Sequence, residues 1–248
     1  MTLEQFFAEN REVAIAFSGG VDSAYLLYAA TRYAARVKAY YVSTAFQPEF
    51  ELADARRLAA DVGADMQVLH ADVLSNSAVT ANPSDRCYHC KNTLFRQILR
   101  AAENDGFPVL LDGTNASDDV GDRPGMRALR ELAVRSPLRE CGLTKAEIRR
   151  LSREAGLFTW DKPAYACLAT RIRTGEEITL QKLKQTEKAE GFLFGLGFRD
   201  FRVRMVDNTA KLELRETDLP LLLENREKIV TELRKDYDSV LLNLEVRK

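Results

Sequence analysis

Cysteine, proline, glycine and net charge are all scarce in this sequence. Of 248 residues only 4 are Cys, 7 are Pro and 13 are Gly, which excludes a disulfide-stabilised miniprotein and a Pro/Gly-rich fibrous chain. Lys plus Arg (36) almost balances Asp plus Glu (37), so no overall field attracts a polyanion and nucleic acid is not the expected partner. No run approaches the roughly 18 apolar residues of a membrane span, and the first residues lack a signal-peptide pattern. We therefore expect a cytoplasmic protein with no membrane partner.

Strand and helix patterns alternate through the first two thirds of the chain. Short apolar runs predict strands at 13–17, 37–44, 66–70 and 109–112. Helical spacing of small and apolar residues predicts helices at 22–35, 49–62 and 90–105. A capping box of Thr144 and Glu147 predicts the start of another helix. The alternation predicts an α/β fold, with a parallel sheet, helices on both of its faces, and ligands beyond the carboxyl ends of the strands.

A different pattern begins near residue 178. It predicts helices at about 179–194 and 218–236 and strands at 201–206, 211–215 and 240–246. We therefore expect a first domain of residues 1–175 and a smaller C-terminal α+β domain of residues 176–248, for substrate binding or oligomerisation.

The string SGGVDS, residues 18–23, stands where the first predicted strand turns into a helix. Its glycines allow close backbone approach, and the helix start offers unpaired N–H groups, so a phosphate is expected there. Ser18 and Ser23 add hydroxyl donors, and Asp22 suits a Mg2+ ion on that phosphate. The string is neither a Walker loop nor a dinucleotide fingerprint. It is the signature of the PP-loop ATP pyrophosphatases, in which Ser18, Gly19, Gly20, Asp22 and Ser23 would bind ATP and AMP is transferred to the substrate.

Three of the four cysteines lie in polar or interrupted segments. Cys87 and Cys90 form a C-x-x-C between Arg86 and Lys91, ahead of a predicted helix, and this setting favours thiolates. This spacing fits a redox pair, half a zinc site or part of an iron–sulfur cluster.

Cys167 follows Lys162 and precedes Arg171, in a loop at 161–175. A cysteine between Ala166 and Leu168 is ordinarily a small buried hydrophobe, but the two cations favour a thiolate or an anionic substrate. Cys141 has no such neighbours and is interpreted as structural.

Five strings in order carry a narrower resemblance: SGGVDS, NPSDRCYHCK, DGTNASDDVGDRPG, SPL at 136–138, and DKPAYACLATR. Together they resemble the LarE family of sulfur transferases, over roughly residues 10–215. The resemblance implies a Rossmann-like fold of the adenine nucleotide alpha hydrolase type and a homo-oligomer, a hexamer. It also implies synthesis of the nickel-pincer nucleotide, by adenylation of the carboxylates of pyridinium-3,5-biscarboxylic acid mononucleotide and their conversion to thiocarboxylates.

The family uses two versions of the sulfur chemistry. In one, a single cysteine matching Cys167 attacks the acyl adenylate and sacrifices its sulfur. In the other, three cysteines matching Cys87, Cys90 and Cys167 hold a 4Fe-4S cluster whose fourth iron has no protein ligand and accepts sulfide from a sulfur donor. Because all three are present, the sequence favours the cluster version, with Cys167 and Asp22 as the catalytic residues.

Further roles are implied for residues at matching positions. Gly113, Thr114 and Asn115 would line the ATP site, and Asp118 and Asp119 would bind Mg2+ or orient Arg123, although a solvated acidic loop is an equal alternative. The substrate's phosphate and carboxylates would be bound by four cations, Lys91, Arg171, Arg202 and Arg204. Glu190 and Glu213 are candidate ion ligands, each more often a surface charge. Thr170 replaces an expected Ser, and 205–211 lacks the His-Gly and Arg of the pattern.

Three other functions compete with this interpretation. A tRNA thiolation enzyme also uses a three-cysteine cluster, but the net charge of −1 disfavours a polyanion. An amidase of the NAD synthetase type uses ammonia and leaves the cysteines without a role. An ATP-binding sensor with a zinc site is the non-enzymatic alternative.

Overall fold

A computed structural model describes residues 1–119, 121 and 124–247. Its helices and strands, in chain order, are α1 Leu3–Glu9, β1 Glu12–Ala16, α2 Val21–Tyr33, β2 Arg36–Ser43, α3 Glu49–Asp61, β3 Asp65–His70, α4 Ser77–Thr80, α5 Arg86–Asn104, β4 Val109–Leu111, α6 Pro124–Glu131, α7 Pro137–Glu140, α8 Lys145–Glu154, α9 Leu180–Gly195, β5 Arg202–Val206, β6 Thr209–Glu213, α10 Leu219–Glu224, α11 Arg226–Leu233 and β7 Ser239–Leu242. Short 3-10 turns lie at Val73–Ser75, Leu168–Arg171 and Glu216–Asp218.

The chain divides into two compact units. The N-terminal unit comprises Met1–Val73 and Asp85–Ala164, and the C-terminal unit comprises Leu74–Ser84 and Tyr165–Lys248. No composition signal in the sequence marks the short segment at 74–84 as part of the second unit. Buried Asn82 anchors it, because its Nδ2 donates to the carbonyl of Arg173 at 2.8 Å and its carbonyl accepts from the N–H of Gly175 at 2.8 Å.

A four-stranded parallel sheet in the order β3-β2-β1-β4 forms the centre of the N-terminal unit. Alternation along the strands gives each sheet face its own core. Val13 and Ile15 pack on one face with the buried residues of α2 and α3, while Ala14 and Leu110 pack on the other with those of α5. The predicted α/β fold, a parallel sheet covered by helices on both faces, is therefore confirmed.

The C-terminal unit contains a three-stranded sheet in the order β5-β6-β7. β5 and β6 form an antiparallel hairpin, and β7 pairs with β6 in parallel. α9 and α11 contribute Leu193, Ile229 and Leu233 to the core over this sheet. This is the smaller sheet expected after residue 178.

Three predicted elements differ from the structure. The helix predicted for 218–236 is two helices, α10 and α11, because the side chain of Asn225 donates to the carbonyl of Leu221 at 3.0 Å and ends the first of them. The last strand ends at Leu242, not at 246. α5 begins at Arg86, four residues earlier than predicted, so Cys87 and Cys90 lie inside its first turns. No helix in the described part of the chain is long and apolar enough to span a membrane.

Candidate functional site

The SGGVDS loop connects β1 to α2 at the carboxyl end of the sheet. Gly19 has a φ of 74°, and a Cβ there would lie 3.2 Å from the Cβ of Ala55, so both conformation and space require glycine. The hydroxyls of Ser18 and Ser23 lie 3.0 Å apart, and Ser23 Oγ donates to the carbonyl of Gly20 at 3.2 Å. These bonds fix the loop, and the first N–H groups of α2 offer donors that suit a phosphate.

The segment after β4 packs against this loop. A Cβ on Gly113 would lie 2.9 Å from the backbone nitrogen of Ser23, so only glycine permits the approach. Buried Asp112 accepts from the hydroxyls of Thr114 and Ser136, each at 2.5 Å. The structure thus brings Gly113, Thr114 and the buried Asn115, predicted to line the ATP site, to the carboxyl end of β4 beside the PP-loop.

Asp22 is paired with a lysine that sequence reasoning missed. Lys145 Nζ donates to Asp22 Oδ2 at 2.5 Å, although 123 residues separate them. Burial raises the pKa of the Asp22 carboxyl above its ordinary value, and the Lys145 ammonium partly offsets this. The Thr144 capping box was the available signal, because it places Lys145 first in α8, but the contact itself is tertiary.

The second oxygen of the Asp22 carboxylate indicates an ion. Oδ1 is buried and has no hydrogen-bond partner among the described residues. A buried carboxylate oxygen without a partner beside a phosphate loop suits Mg2+, which binds through one or two carboxylates together with phosphate oxygens. Asp22 therefore fits the predicted metal.

The acidic loop after β4 is held mainly by its own backbone. Asp118 Oδ2 accepts from the N–H of Asn115 at 2.9 Å, and Asp119 Oδ1 accepts from the N–H of Gly121 at 3.0 Å. Asp118 also raises the pKa of Asp22, so its charge acts on the PP-loop carboxylate. Arg123, which these residues were predicted to orient, lies outside the described residues, and the Mg2+ role stays a prediction.

Cys87 and Cys90 lie three residues apart on α5, and Cys87 is exposed. The guanidinium of Arg86 approaches Cys87 Sγ at 3.9 Å. Lys91 packs along Gly125 in α6, where a Cβ would lie 3.2 Å from Lys91 Cδ. Two adjacent thiols at a helix start beside cations are suited to bind a metal or cluster as thiolates.

Cys167 belongs to the other unit. Neither unit by itself groups three His, Cys, Asp or Glu side chains into a preformed metal site, within residues 1–119, 121 and 124–247. The donor chemistry of the three thiolates fits an iron–sulfur cluster, and the assignment of all three as ligands stays a prediction.

The segment around Cys167 is tied to a buried ion pair. Arg171 Nε donates to Glu190 Oε1 at 2.7 Å, and the side chains are 0% and 2% exposed. The interpretation of Glu190 as a surface charge is therefore wrong, because its carboxylate sits in the core opposite a guanidinium. Substrate binding by Arg171 and ion binding by Glu190 stay predictions.

Arg202 and Arg204 lie on β5, as the strand prediction required. Burial, and then the nearby Arg171 and Arg247 guanidinium groups, lower the pKa of Arg202 to about 10. Arg204 Nε donates to Glu213 Oε2 at 3.1 Å, and its Nη1 donates to the carbonyl of Thr170. Several arginines thus concentrate near the Cys167 segment, which suits an anionic ligand.

Cys141 packs against the core of the N-terminal unit, and burial raises the pKa of its thiol. Both observations suit a structural cysteine.

Comparison of the sequence with known proteins shows to which family the chain belongs. The asparagine synthase family matches residues 4–155. Pyridinium-3,5-bisthiocarboxylic acid mononucleotide synthase of Lactiplantibacillus plantarum is 33% identical over 87% of this chain and 79% of its own. The chain belongs to the LarE family. Another relative is an uncharacterized protein of Synechocystis sp., 40% identical over 86% of this chain and 80% of its own.

A more distant relative is named for a reaction on tRNA. The tRNA-specific 2-thiouridylase MnmA of Thermotoga petrophila is 26% identical over 59% of this chain and 52% of its own. With its PP-loop unit, this member of the LarE family is an ATP-using sulfurtransferase, as the sequence motifs predicted.

Proposed function

We propose that this protein adenylates the carboxylates of pyridinium-3,5-biscarboxylic acid mononucleotide and replaces one oxygen of each by sulfur, giving thiocarboxylates. The observation that carries the proposal is the PP-loop with the unpartnered Asp22 oxygen, in a chain that aligns along most of its length with a named synthase of the bisthiocarboxylic product. The nucleotide-like substrate is a small molecule, in agreement with the balanced net charge of −1.

The first step takes place at the PP-loop. A carboxylate oxygen of the substrate attacks the α-phosphorus of ATP, and the bond from that phosphorus to the leaving pyrophosphate breaks. The N–H groups at the start of α2 would hold the pyrophosphate, and Asp22 would hold a Mg2+ ion that neutralises its charge. Lys145, which is paired with Asp22, would supply a cation beside the same phosphates.

The second step forms the carbon–sulfur bond. Sulfur at the sulfide level attacks the acyl carbon, the carbon–oxygen bond to AMP breaks, and AMP leaves with the original carboxylate oxygen. No electrons are exchanged, because sulfide and thiocarboxylate sulfur have the same oxidation level. Adenylation makes this attack feasible by converting a poor leaving group into AMP.

Cations would hold the substrate during both steps. Lys91 on α5 and Arg204 on β5 remain partly exposed, and Arg202 is mostly buried with a depressed pKa. We propose Lys91, Arg202 and Arg204 for the phosphate and carboxylates of the substrate. Arg171, predicted together with them, is paired with Glu190 and would act indirectly.

The second step requires a source of sulfur. We propose that Cys87, Cys90 and Cys167 hold a 4Fe-4S cluster, supported by the donor chemistry of three thiolates and by the cations beside the first two. When bound, such a cluster offers an iron without a protein ligand to sulfide. The alternative is sacrificial: Cys167 Sγ attacks the acyl carbon, and loss of its Cα proton with cleavage of its Cβ–Sγ bond leaves thiocarboxylate and dehydroalanine.

A measurement of iron and acid-labile sulfide per chain distinguishes the cluster from the sacrificial cysteine. The protein for it is purified without oxygen. About four irons, lost in a Cys87→Ala variant, support the cluster. No iron after reconstitution, together with conversion of Cys167 to dehydroalanine in peptide mass spectra, supports the sacrificial source.

The function itself is tested by offering substrates in parallel. Pyridinium-3,5-biscarboxylic acid mononucleotide is expected to trigger pyrophosphate release from ATP and to gain sulfur in the mass spectrum. Nicotinic acid mononucleotide, which has one carboxylate, and unmodified tRNA serve as comparisons. Thiolation of tRNA but not of the dicarboxylate would overturn the proposal in favour of a tRNA enzyme, the function in the name of the MnmA relative.

We further propose that the protein works in the cytoplasm as a homo-oligomer, a hexamer by family resemblance. Light scattering on the purified protein tests the assembly, and a monomeric mass would contradict it.

A further inference from the structure

Two hydrogen bonds hold the backbone on the C-terminal side of Cys167. The carbonyl of Cys167 accepts from the N–H of Thr170 at 2.9 Å and from the hydroxyl of Thr170 at 2.8 Å. This turn fixes the orientation of the peptide plane that follows the cysteine.

Arg171 holds the backbone on the N-terminal side. Its Nη1 donates to the carbonyl of Ala166 at 3.1 Å and to the Thr170 hydroxyl at 2.8 Å. One guanidinium nitrogen thus contacts the residue before Cys167 and the side chain that holds its carbonyl. The planar guanidinium keeps these contacts in a fixed relation.

Glu190 in turn fixes Arg171. Its two oxygens accept from Arg171 Nε at 2.7 Å and from Nη2 at 3.1 Å. Oε1 also accepts from the N–H of Val203 on β5 at 2.9 Å, and Oε2 accepts from the hydroxyl of Tyr165. A carboxylate with this many donors is held rigidly by strand and helix together.

These contacts engage all three nitrogens of the Arg171 guanidinium. Nε, Nη1 and Nη2 all donate within the C-terminal unit, and the side chain is 0% exposed. A substrate anion would have to break a buried bidentate ion pair to reach it, which is costly because Glu190 would be left as a buried unpaired charge. The contacts of Arg171 are therefore those of a residue that holds its neighbours in place, not of a residue that binds substrate.

We propose that Glu190, Arg171 and Thr170 form a cysteine clamp, a set of positioning residues that hold the main chain on both sides of Cys167. The inference rests on the proposed function, in which Cys167 serves sulfur transfer. The clamp would act on the sulfur-transfer step, because it holds the main chain of Cys167 and none of its members belongs to the PP-loop.

The mildest test is at Thr170. Thr170→Val keeps the shape of the side chain but removes the hydroxyl that links Arg171 to the Cys167 carbonyl, whereas Thr170→Ser keeps that hydroxyl. We expect sulfur incorporation to slow about tenfold or more in Thr170→Val and to return to near the wild-type rate in Thr170→Ser, with pyrophosphate release in the first turnover nearly unchanged in both.

Thr186→Val is the matched control. Thr186 is buried on α9 in the same unit, and its hydroxyl donates to the carbonyl of Lys182 at 2.9 Å rather than to the segment of Cys167. Equal sulfur incorporation by Thr170→Val and Thr186→Val would overturn the clamp.

Glu190→Gln tests the ion pair, with thermal unfolding measured alongside. Loss of the negative charge is expected to slow sulfur incorporation about 100-fold, since a small misplacement of a reacting group has effects of this size. A folded Glu190→Gln variant that transfers sulfur at the wild-type rate would contradict the proposal.

Alkylation of Cys167 by iodoacetamide, followed by peptide mass spectrometry over a range of pH, gives a readout independent of the reaction. Thr170→Val is expected to change the Cys167 rate and its pH profile, while Thr186→Val leaves both as in the wild type. An unchanged Cys167 profile in Thr170→Val refutes the clamp even if the proposed substrate is wrong. Absence of thiocarboxylate from the wild type, with the profile shifted in Thr170→Val, refutes the proposed function but leaves the clamp standing.

Discussion

Asp22 lies in the PP-loop segment, in surroundings that disfavour the charged form of its carboxyl group. Its side chain is 22% exposed, and burial raises its pKa above the ordinary value of 3.8. The folded state therefore binds this proton more tightly than the unfolded state, so the carboxyl's contribution to stability decreases as the pH rises from 3.8 through the folded pKa. A Mg2+ ion on the unpartnered oxygen would offset this cost when nucleotide binds.

Asp22→Asn is predicted to separate activity from stability. Pyrophosphate release should fall about 100-fold or more, because the amide does not replace a charged ligand at the phosphates. The free energy of unfolding in urea should change by only about 1 kcal/mol. The substitution removes a desolvated charge, and the Lys145 ammonium, whose side chain is 33% exposed, can be hydrated by water instead. Asp61→Asn, at an exposed position on α3, is the control and should leave both values unchanged. A large loss of stability in Asp22→Asn would contradict this account of the ion pair.

Gly113, which follows β4, lies close to the backbone of Ser23 in α2 at the proposed ATP site. Gly113→Ala is predicted to raise the KM for ATP about tenfold, because the new Cβ would press on backbone atoms of Ser23 rather than on a flexible side chain. Initial rates of pyrophosphate release at varied ATP measure this.

Gly191→Ala on α9 is the matched control for that change. Nothing lies within 4 Å of a Cβ built there, and alanine in a helix is more stable than glycine by about 0.5 to 1 kcal/mol. It should keep the wild-type KM for ATP. An unchanged KM in Gly113→Ala would mean that the close approach does not shape the loop.

The capping box of α8 gives a pH-dependent prediction. The Thr144 hydroxyl, and then its N–H, lower the pKa of Glu147 below the ordinary 4.5. The stabilisation is therefore complete above 4.5 and is lost as the pH falls through the folded pKa. Glu147→Ala should be destabilised in urea at about pH 7, with the difference from wild type shrinking below pH 4.5.

Glu147→Gln serves as the control for the capping box. Glutamine keeps an acceptor for the Thr144 N–H but does not titrate, so its difference from wild type should be small at neutral pH. A Glu147→Ala difference that stays constant down to acidic pH would contradict the role assigned to the carboxylate.

Strands, helices and loops were predictable from the sequence where the local pattern of apolar and turn residues determines them. The apolar runs gave the strands of the first sheet, and SGGVDS gave the loop between β1 and α2. The sequence did not predict the helix break at Asn225. There the Asn225 side chain donates a hydrogen bond to a carbonyl of the preceding helix, and the spacing of apolar residues carries no signal of such a bond. The pairing of Lys145 with Asp22, and the burial of Glu190, depend on residues distant in sequence and were beyond pattern reasoning.

The two units carry different parts of the proposed chemistry. The PP-loop and Asp22, the proposed Mg2+ ligand, lie in the N-terminal unit, and Cys167 with the proposed clamp lies in the C-terminal unit. Adenylation and sulfur transfer should therefore be separable by single substitutions, one in each unit.

The most direct test quantifies pyrophosphate and thiocarboxylate in the same quenched samples of a single turnover, for wild type, Asp22→Asn and Cys167→Ala. Wild type should form both. Cys167→Ala should release pyrophosphate in the first turnover without incorporating sulfur, and Asp22→Asn should do neither. Sulfur incorporation by Cys167→Ala, or loss of pyrophosphate release to the same extent in both variants, would contradict the division of roles on which the account rests.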